Sequence, residues 1–351
     1  MAIPDPHSTS PEKMEVIGSL KPLDGFISLQ THHCVTGSMR HIYAFNGHDI
    51  SEELLLGLGE GVGFVYWHTR GQAPFLGGRA VSKSAMEELA CQRTGVKIAS
   101  YSTSSTSKAC RTLMELLSRN QPVMLQVDMG FLPYFDFGGQ KYHFGGHVIV
   151  ACGYCQSSEQ ILIADRDGLY PVPLADLKRA RNSTFKPFQP RNGWWTFDFN
   201  GYRIPDPVDI RRAIATQASG MLAPPIHNFG VQGIRLAAKR IPGWSSEMSL
   251  QDVRNALFNA YIFISPVGGT GGGLFRYMFS RFLKLAAVLT VDERLIASAE
   301  AFARIGDAWE NLAAWAKEVS AAPDPFARLE EVSTPLLAIA DLEQAAWEQL
   351  K

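Results

Sequence analysis

The feature that most restricts this chain is a change of periodicity near Pro205-Asp206-Pro207. Upstream, short apolar runs of strand character alternate with helical spacings. Downstream, every apolar-bearing stretch repeats at the helical period: 209–219, 230–240, 250–258, 275–289, 291–319 and 325–350, separated by Gly, Pro and Ser. The upstream part predicts helices over 35–45, from Ser51 as N-cap through Gly57, over 108–120 and from Pro173. It predicts strands over 64–67, 122–128, 147–154, 160–164 and 194–199. An α+β class follows, with a polar, flexible leader over 1–24, a mixed domain over 25–204 and a mostly α-helical domain over 205–351.

With 46% hydrophobic and 19% charged residues, 351 residues suffice for two buried cores. A formal net charge of −1 lacks the basic excess that nucleic acid or an anionic membrane surface demands of a partner. Five cysteines, an odd count, do not form a disulfide framework. The opening residues hold no apolar core of a signal peptide, and runs such as Val148–Cys152 are too short to span a bilayer. A reducing, cytoplasmic setting is the expectation.

Chemistry concentrates on Cys34, which opens a predicted helix. A thiol there meets free backbone N–H groups and the positive end of the helix dipole, both of which favour the reactive thiolate. A lone cysteine is more often a small apolar core residue, so the partners matter. His147 follows Gly145-Gly146 and starts a strand. Asp165 ends the next strand, and antiparallel pairing returns it to the end where His147 begins. A carboxylate there can orient the imidazole and stabilise its charged form, with Asp167 as a rival. Cysteine early on a helix, then His and Asp on consecutive strands, is the order of papain-like cysteine enzymes. Cys34 is then the nucleophile, His147 the base and Asp165 the orienting group. The Cys34 N–H and Gln30, four residues upstream, are the oxyanion-donor candidates.

Other features invite both functional and structural readings. The cluster Gly268–Gly273 opens a helix and could cradle a phosphate at Gly271 and Gly272, or serve only as a tight turn; it lacks the Lys-Ser/Thr of a P-loop. Tyr66, Trp67, Tyr134, His33 and His143 are candidates for substrate contact, with core packing the competing role for the aromatics. Cys152 and Cys155 form a Cys-x-x-Cys pair without a second pair at finger spacing, so no metal is expected. Lys178, Arg179, Arg181, Lys186 and Arg191 gather around one loop, either as a solvated face or as a surface for an acidic partner.

The chain resembles the butirosin biosynthesis protein H family. The likeness rests on His33-Cys34, Ser51-Glu52, Gly57-Leu58-Gly59, Gly63-Phe64-Val65-Tyr66-Trp67 and Pro74-Phe75-Leu76-Gly77-Gly78-Arg79. It continues through Pro122-Val123, Val127-Asp128, Leu132-Pro133-Tyr134, His143-Phe144-Gly145-Gly146-His147, Ala164-Asp165-Arg166-Asp167 and Lys186-Pro187. In the helical part, Asn228-Phe229-Gly230 and Gly269 to Arg276 carry it. The resemblance implies a papain-like N-terminal domain, an associated helical domain and acyl transfer in secondary metabolism. The acyl group would move from a phosphopantetheine thioester, on an acyl carrier protein or coenzyme A, to a small-molecule amine, with no resident cofactor. A homo-oligomer is compatible with this reading. Two departures stand out: Cys155 where the pattern has Asp, and Gly37 within the helix after Cys34. A cysteine peptidase or amidase with the same triad, and a non-catalytic binding protein on this fold, are the competing functions.

Overall fold

The computed structural model describes residues 20–69, 73–79, 84–137 and 142–351, so most of the expected leader lies outside the described residues. In chain order the elements are α1 (Cys34–Phe45), α2 (Glu52–Leu58), β1 (Val62–Trp67), β2 (Phe75–Arg79), α3 (Met86–Arg93), β3 (Lys97–Tyr101) and α4 (Thr106–Ser118). Next come β4 (Val123–Val127), β5 (His147–Cys155), β6 (Gln160–Asp165), β7 (Gly168–Pro173), α5 (Leu174–Arg181) and β8 (Trp194–Asp198). The helices α6 (Pro207–Leu222), α7 (Gly230–Arg240), α8 (Trp244–Glu247), α9 (Leu250–Ile264), α10 (Arg276–Thr290), α11 (Arg294–Ala321) and α12 (Leu329–Glu348) complete the chain. The class is α+β, with sheet in the N-terminal region and helices in the C-terminal one.

Contacts divide the described chain into two compact units, one of residues 20–52 and 95–203 and the other of 53–94 and 204–351. The break near residue 204 falls where the periodicity changes. Residues 53–94, which the sequence pattern places with the N-terminal part, pack instead among the C-terminal helices. The reason is tertiary. Gln217 on α6 donates to the Gly57 carbonyl and accepts from Val62 N, and Asn228 donates to the Tyr66 carbonyl. Phe64 on β1 stacks on Trp309 of α11 at 5.6 Å. Deeper in this unit Arg276 and Glu343 form a fully buried ion pair, and the indole N–H groups of Trp309 and Trp347 also donate to Glu343.

The other unit is built on a six-stranded sheet of order β3-β8-β4-β5-β6-β7 in which every neighbouring pair is antiparallel. Leu113 and Leu117 of α4 and Leu174, Leu177 and Ala180 of α5 close one face against Leu125, Ile149, Ala151, Ile161 and Ile163. Ile42 of α1 packs with Val150, Cys152, Leu162 and Ala164, the residues that alternate with these on β5 and β6. Each fully buried aliphatic side chain contributes roughly 1.5–3 kcal/mol to holding these layers. β7 carries Pro171 and Pro173, which an edge strand tolerates because its outer side needs no ladder donors.

Register decides where the polar groups of this unit meet. Val150 pairs with Ala164 and Ala151 with Ile163, so Asp165 lies across from Ile149 and shares a face with His147. The bulge between Ala151 and Gly153 changes the register only beyond that point. At the end of β4, Asp128 is fully buried and accepts from Gly130 N, Phe144 N, His143 Nδ1 and Ser183 Oγ, at 3.0, 3.0, 3.0 and 2.5 Å. Replacing it by alanine strands several donors at once. Asp128→Ala is expected to cost about 3 kcal/mol, read as a lower urea midpoint with an unchanged slope.

Candidate active site

Cys34 is the first residue of α1, and its amide is among those that have no intrahelical acceptor. The thiol is half-buried, whereas Cys91, Cys152 and Cys155 are buried. The segment before it is tied down at several points. Thr31 donates through N and Oγ1 to the Arg166 carbonyl, at 2.7 and 3.0 Å, and Gln30 Nε2 donates to the Asp167 carbonyl at 3.0 Å. His41 Nδ1 donates to the Gly37 carbonyl and Nε2 accepts from Leu29 N, a pattern that fixes a neutral tautomer. Burial correspondingly pushes the His41 pKa down.

Gly37, read from sequence as a weakness in the helix, is demanded by this packing. A Cβ there would lie 2.5 Å from Thr31 Oγ1 and 3.3 Å from Glu52 Oε1. Glu52 is 1% exposed, and its carboxylate accepts from His32 N at 2.7 Å, His33 N at 3.0 Å and Thr36 Oγ1 at 3.0 Å. It therefore braces the chain on both sides of Cys34.

His147 and Asp165 meet as the register requires, with Nε2 2.7 Å from Oδ2. Cys34 and His147 each act on the other's pKa, the ring lowering the thiol and the thiol raising the ring. Tyr134 donates to the same Asp165 oxygen at 2.9 Å and stacks on Tyr170 at 4.1 Å. Phe135 stands edge-on to the His147 ring at 5.6 Å. Asp167, the rival carboxylate, is exposed and takes the Tyr170 hydroxyl at 2.7 Å, so Asp165 is the member aligned with His147.

Burial alone would raise the thiol pKa of Cys34. The charge of His33, the hydrogen bonds from His147 and His33, and the charge of His147 outweigh it and hold the thiol well below its usual value. Burial likewise works against a charged His147, but Asp165 by charge and hydrogen bond, then Cys34, raise it to about 9. Asp165 is lowered although burial opposes it, because His147 and then Arg166 and Tyr134 stabilise the carboxylate. These shifts favour a thiolate at Cys34 and a charged ring at His147 beside an ionised Asp165. The raised His147 pKa contributes stability that is complete below 6.5 and lost as pH rises through about 9. The depressed thiol contributes stability complete above 9.0 and lost as pH falls through its lowered value.

The remaining candidates are distributed differently. Tyr134, expected at a substrate, is held by Asp165, and Gln30, expected as an oxyanion donor, is engaged by the Asp167 carbonyl. His143 binds Asp128 and stacks on Phe185 at 3.4 Å, outside the triad. His33 is the helix N-cap beside Cys34. Tyr66, Trp67, Gly271 and Gly272 belong to the other compact unit. There Tyr66 is buried and accepts from Trp244 Nε1, and Trp67 is exposed. In the glycine cluster the Glu310 carboxylate takes Gly273 N and Thr270 Oγ1 takes Gly272 N. The Cys152 thiol donates to the Leu162 carbonyl inside β5, and burial pushes its pKa up. Among the described residues no helix is long and apolar enough to cross a membrane. Sequence reasoning missed Glu52 and Thr36 as parts of the site; Ser51-Glu52 signalled only a helix start.

At pH 6 iodoacetamide is expected to label Cys34 ahead of the other four cysteines, as read by peptide mapping. Asp165→Asn should slow that labelling about tenfold, since one pKa unit changes the thiolate fraction tenfold.

The family model described as butirosin biosynthesis protein H, N-terminal, matches residues 33–166, a span that contains Cys34, His147 and Asp165. The model described as a domain of unknown function (DUF4872) matches residues 175–350, half of the chain. The two matches follow one another in sequence, while the compact units interleave. No curated protein matches the chain. The chain belongs to the butirosin biosynthesis protein H family, carrying its N-terminal domain followed by the DUF4872 domain.

Proposed function

We propose that this protein is a biosynthetic cysteine acyltransferase that moves an acyl group from a pantetheine thioester, carried by a carrier protein or coenzyme A, to an amine through an acyl-Cys34 intermediate. The observation that supports the reading is the buried His147–Asp165 hydrogen bond of 2.7 Å, together with a half-buried Cys34 thiol whose pKa the neighbouring histidines hold below its usual value. The family name supports a biosynthetic role.

The reaction needs two steps. The Cys34 sulfur attacks the thioester carbonyl, the C–S bond to the leaving thiol breaks, and the His147 imidazolium gives that sulfur its proton. Neutral His147 then takes a proton from the amine as nitrogen attacks the acyl-enzyme, and Cys34 departs as thiolate. The free amide at the start of α1 faces the developing oxyanion, a contact typically worth about 10²–10³ in rate. Asp165 keeps His147 oriented and charged through both steps.

Incubation with a panel of acyl thioesters is expected to add one acyl mass to the intact protein, and Cys34→Ala to abolish the adduct. His147→Ala should slow acylation by roughly 10²–10⁴, the usual range for a lost acid–base group. A primary amine should discharge the adduct as amide. Discharge at the same rate with and without amine would make the protein a hydrolase instead, and adduct formation by the alanine variant would remove Cys34 as the nucleophile.

A further inference from the structure

The borders of the His147 ring differ in kind. Toward β6 it meets Asp165, which Tyr134 closes off by bonding the same carboxylate oxygen and stacking on Tyr170. Toward the start of α1 lies the segment of Gln30 and Thr31, fastened to the Asp167 and Arg166 carbonyls. A third border is aromatic. Phe135 stands edge-on to the imidazole at 5.6 Å, and Phe137 stacks on Phe135 at 5.9 Å with 19° between the ring planes. Tyr142 continues the row at 4.9 Å from Phe137. Phe135 is anchored against the core that α4 and α5 close over the sheet, and Asp136, between the two phenylalanines, is exposed. All three rings are half-buried, so a run of aromatic surface leads away from the candidate acid–base group.

We propose that Phe135, Phe137 and Tyr142 form the bed for the acyl chain delivered to Cys34, so that the protein selects donors with an extended apolar acyl group. This rests on the acyl-transfer reading of Cys34 and goes beyond it in naming the acyl class.

In that reaction the acyl carbonyl lies beside both the Cys34 sulfur and the His147 ring, because the ring protonates the departing thiol and later takes the amine proton. The acyl chain beyond the carbonyl runs along a border of the ring. Two borders are filled by hydrogen-bonded groups of the polypeptide itself. The aromatic border offers apolar surface, the lining on which apolar ligands are held. An acetyl group ends beside Phe135, whereas hexanoyl and octanoyl chains extend over Phe137 toward Tyr142. Each methylene removed from water there strengthens binding roughly two- to fourfold. The chain end takes no part in bond making, so the gain is equal in ground and transition states and acts through donor binding, leaving the chemical step alone.

The experiment titrates acetyl-, butanoyl-, hexanoyl- and octanoyl-pantetheine into Cys34→Ala by calorimetry, alone and combined with Phe137→Ser or Phe137→Leu, with thermal unfolding followed for each. The same Phe137 substitutions in protein that keeps Cys34 are followed by adduct formation and by alkylation against pH. Affinity should rise roughly two- to fourfold per methylene. Serine should flatten the rise beyond butanoyl, and leucine should keep it. Both should alkylate Cys34 with the wild-type pH profile, since Phe137 stands one ring away from His147. Affinity unchanged from acetyl to octanoyl, no measurable binding of any member, or a rise that survives in folded Phe137→Ser would overturn the acyl bed. Adducts that form equally fast with every chain would do so too, while leaving acyl transfer intact. Binding that rises with chain length and is lost in Phe137→Ser, with no adduct on Cys34, would keep the bed and remove acyl transfer.

Discussion

A charged imidazole buried beside a buried carboxylate is the interaction on which the candidate site depends. Burial pushes His147 toward its neutral form and Asp165 toward its protonated form, and each resists because the other is 2.7 Å away. The thiol of Cys34 joins the same balance, so the three groups hold their charges only together. Tyr134 adds a donor to the oxygen that His147 uses, and its stack on Tyr170 covers that side of the pair. The other Asp165 oxygen is buried without a partner among the described residues, which leaves the imidazolium and the tyrosine to carry the stabilisation.

Bringing Cys34 to that pair is the work of short, local ties. The turn after Asp165 offers the Arg166 and Asp167 carbonyls to Thr31 and Gln30. His41 binds the same segment from within α1, and Glu52 holds the amides on the near side of Cys34 together with the Thr36 hydroxyl beyond it. Gly37 completes the arrangement by letting Thr31 lie against the helix. The start of α1 is thus anchored to the turn that follows Asp165.

Much of this was legible in the sequence where the signal is local. The helical period downstream of Pro205 foretold α7 residue for residue, α6, α10, α11 and α12 to within a few residues, and the start of α9 but not its last two turns. The meeting of His147 with Asp165 was legible because antiparallel pairing of consecutive strands returns the end of one to the start of the other. What could not be read depends on distant partners. β7 was hidden by Pro171 and Pro173, which fit only because the strand is an edge. Residues 53–94 pack with helices more than a hundred positions away, and no composition shift marks that choice. Glu52 looked like no more than the start of a helix after Ser51, and Tyr134 like a pocket wall, because their partners lie far off in sequence.

The central claim is that Cys34 rests as a thiolate paired with His147. The most direct measurement is the ultraviolet absorbance of the thiolate, taken as the difference between wild type and Cys34→Ala across a pH titration. The charge arrangement predicts a full thiolate signal at neutral pH that fades only well below the ordinary thiol range. A signal that rises only as pH approaches 9.0, the unperturbed value, would contradict it.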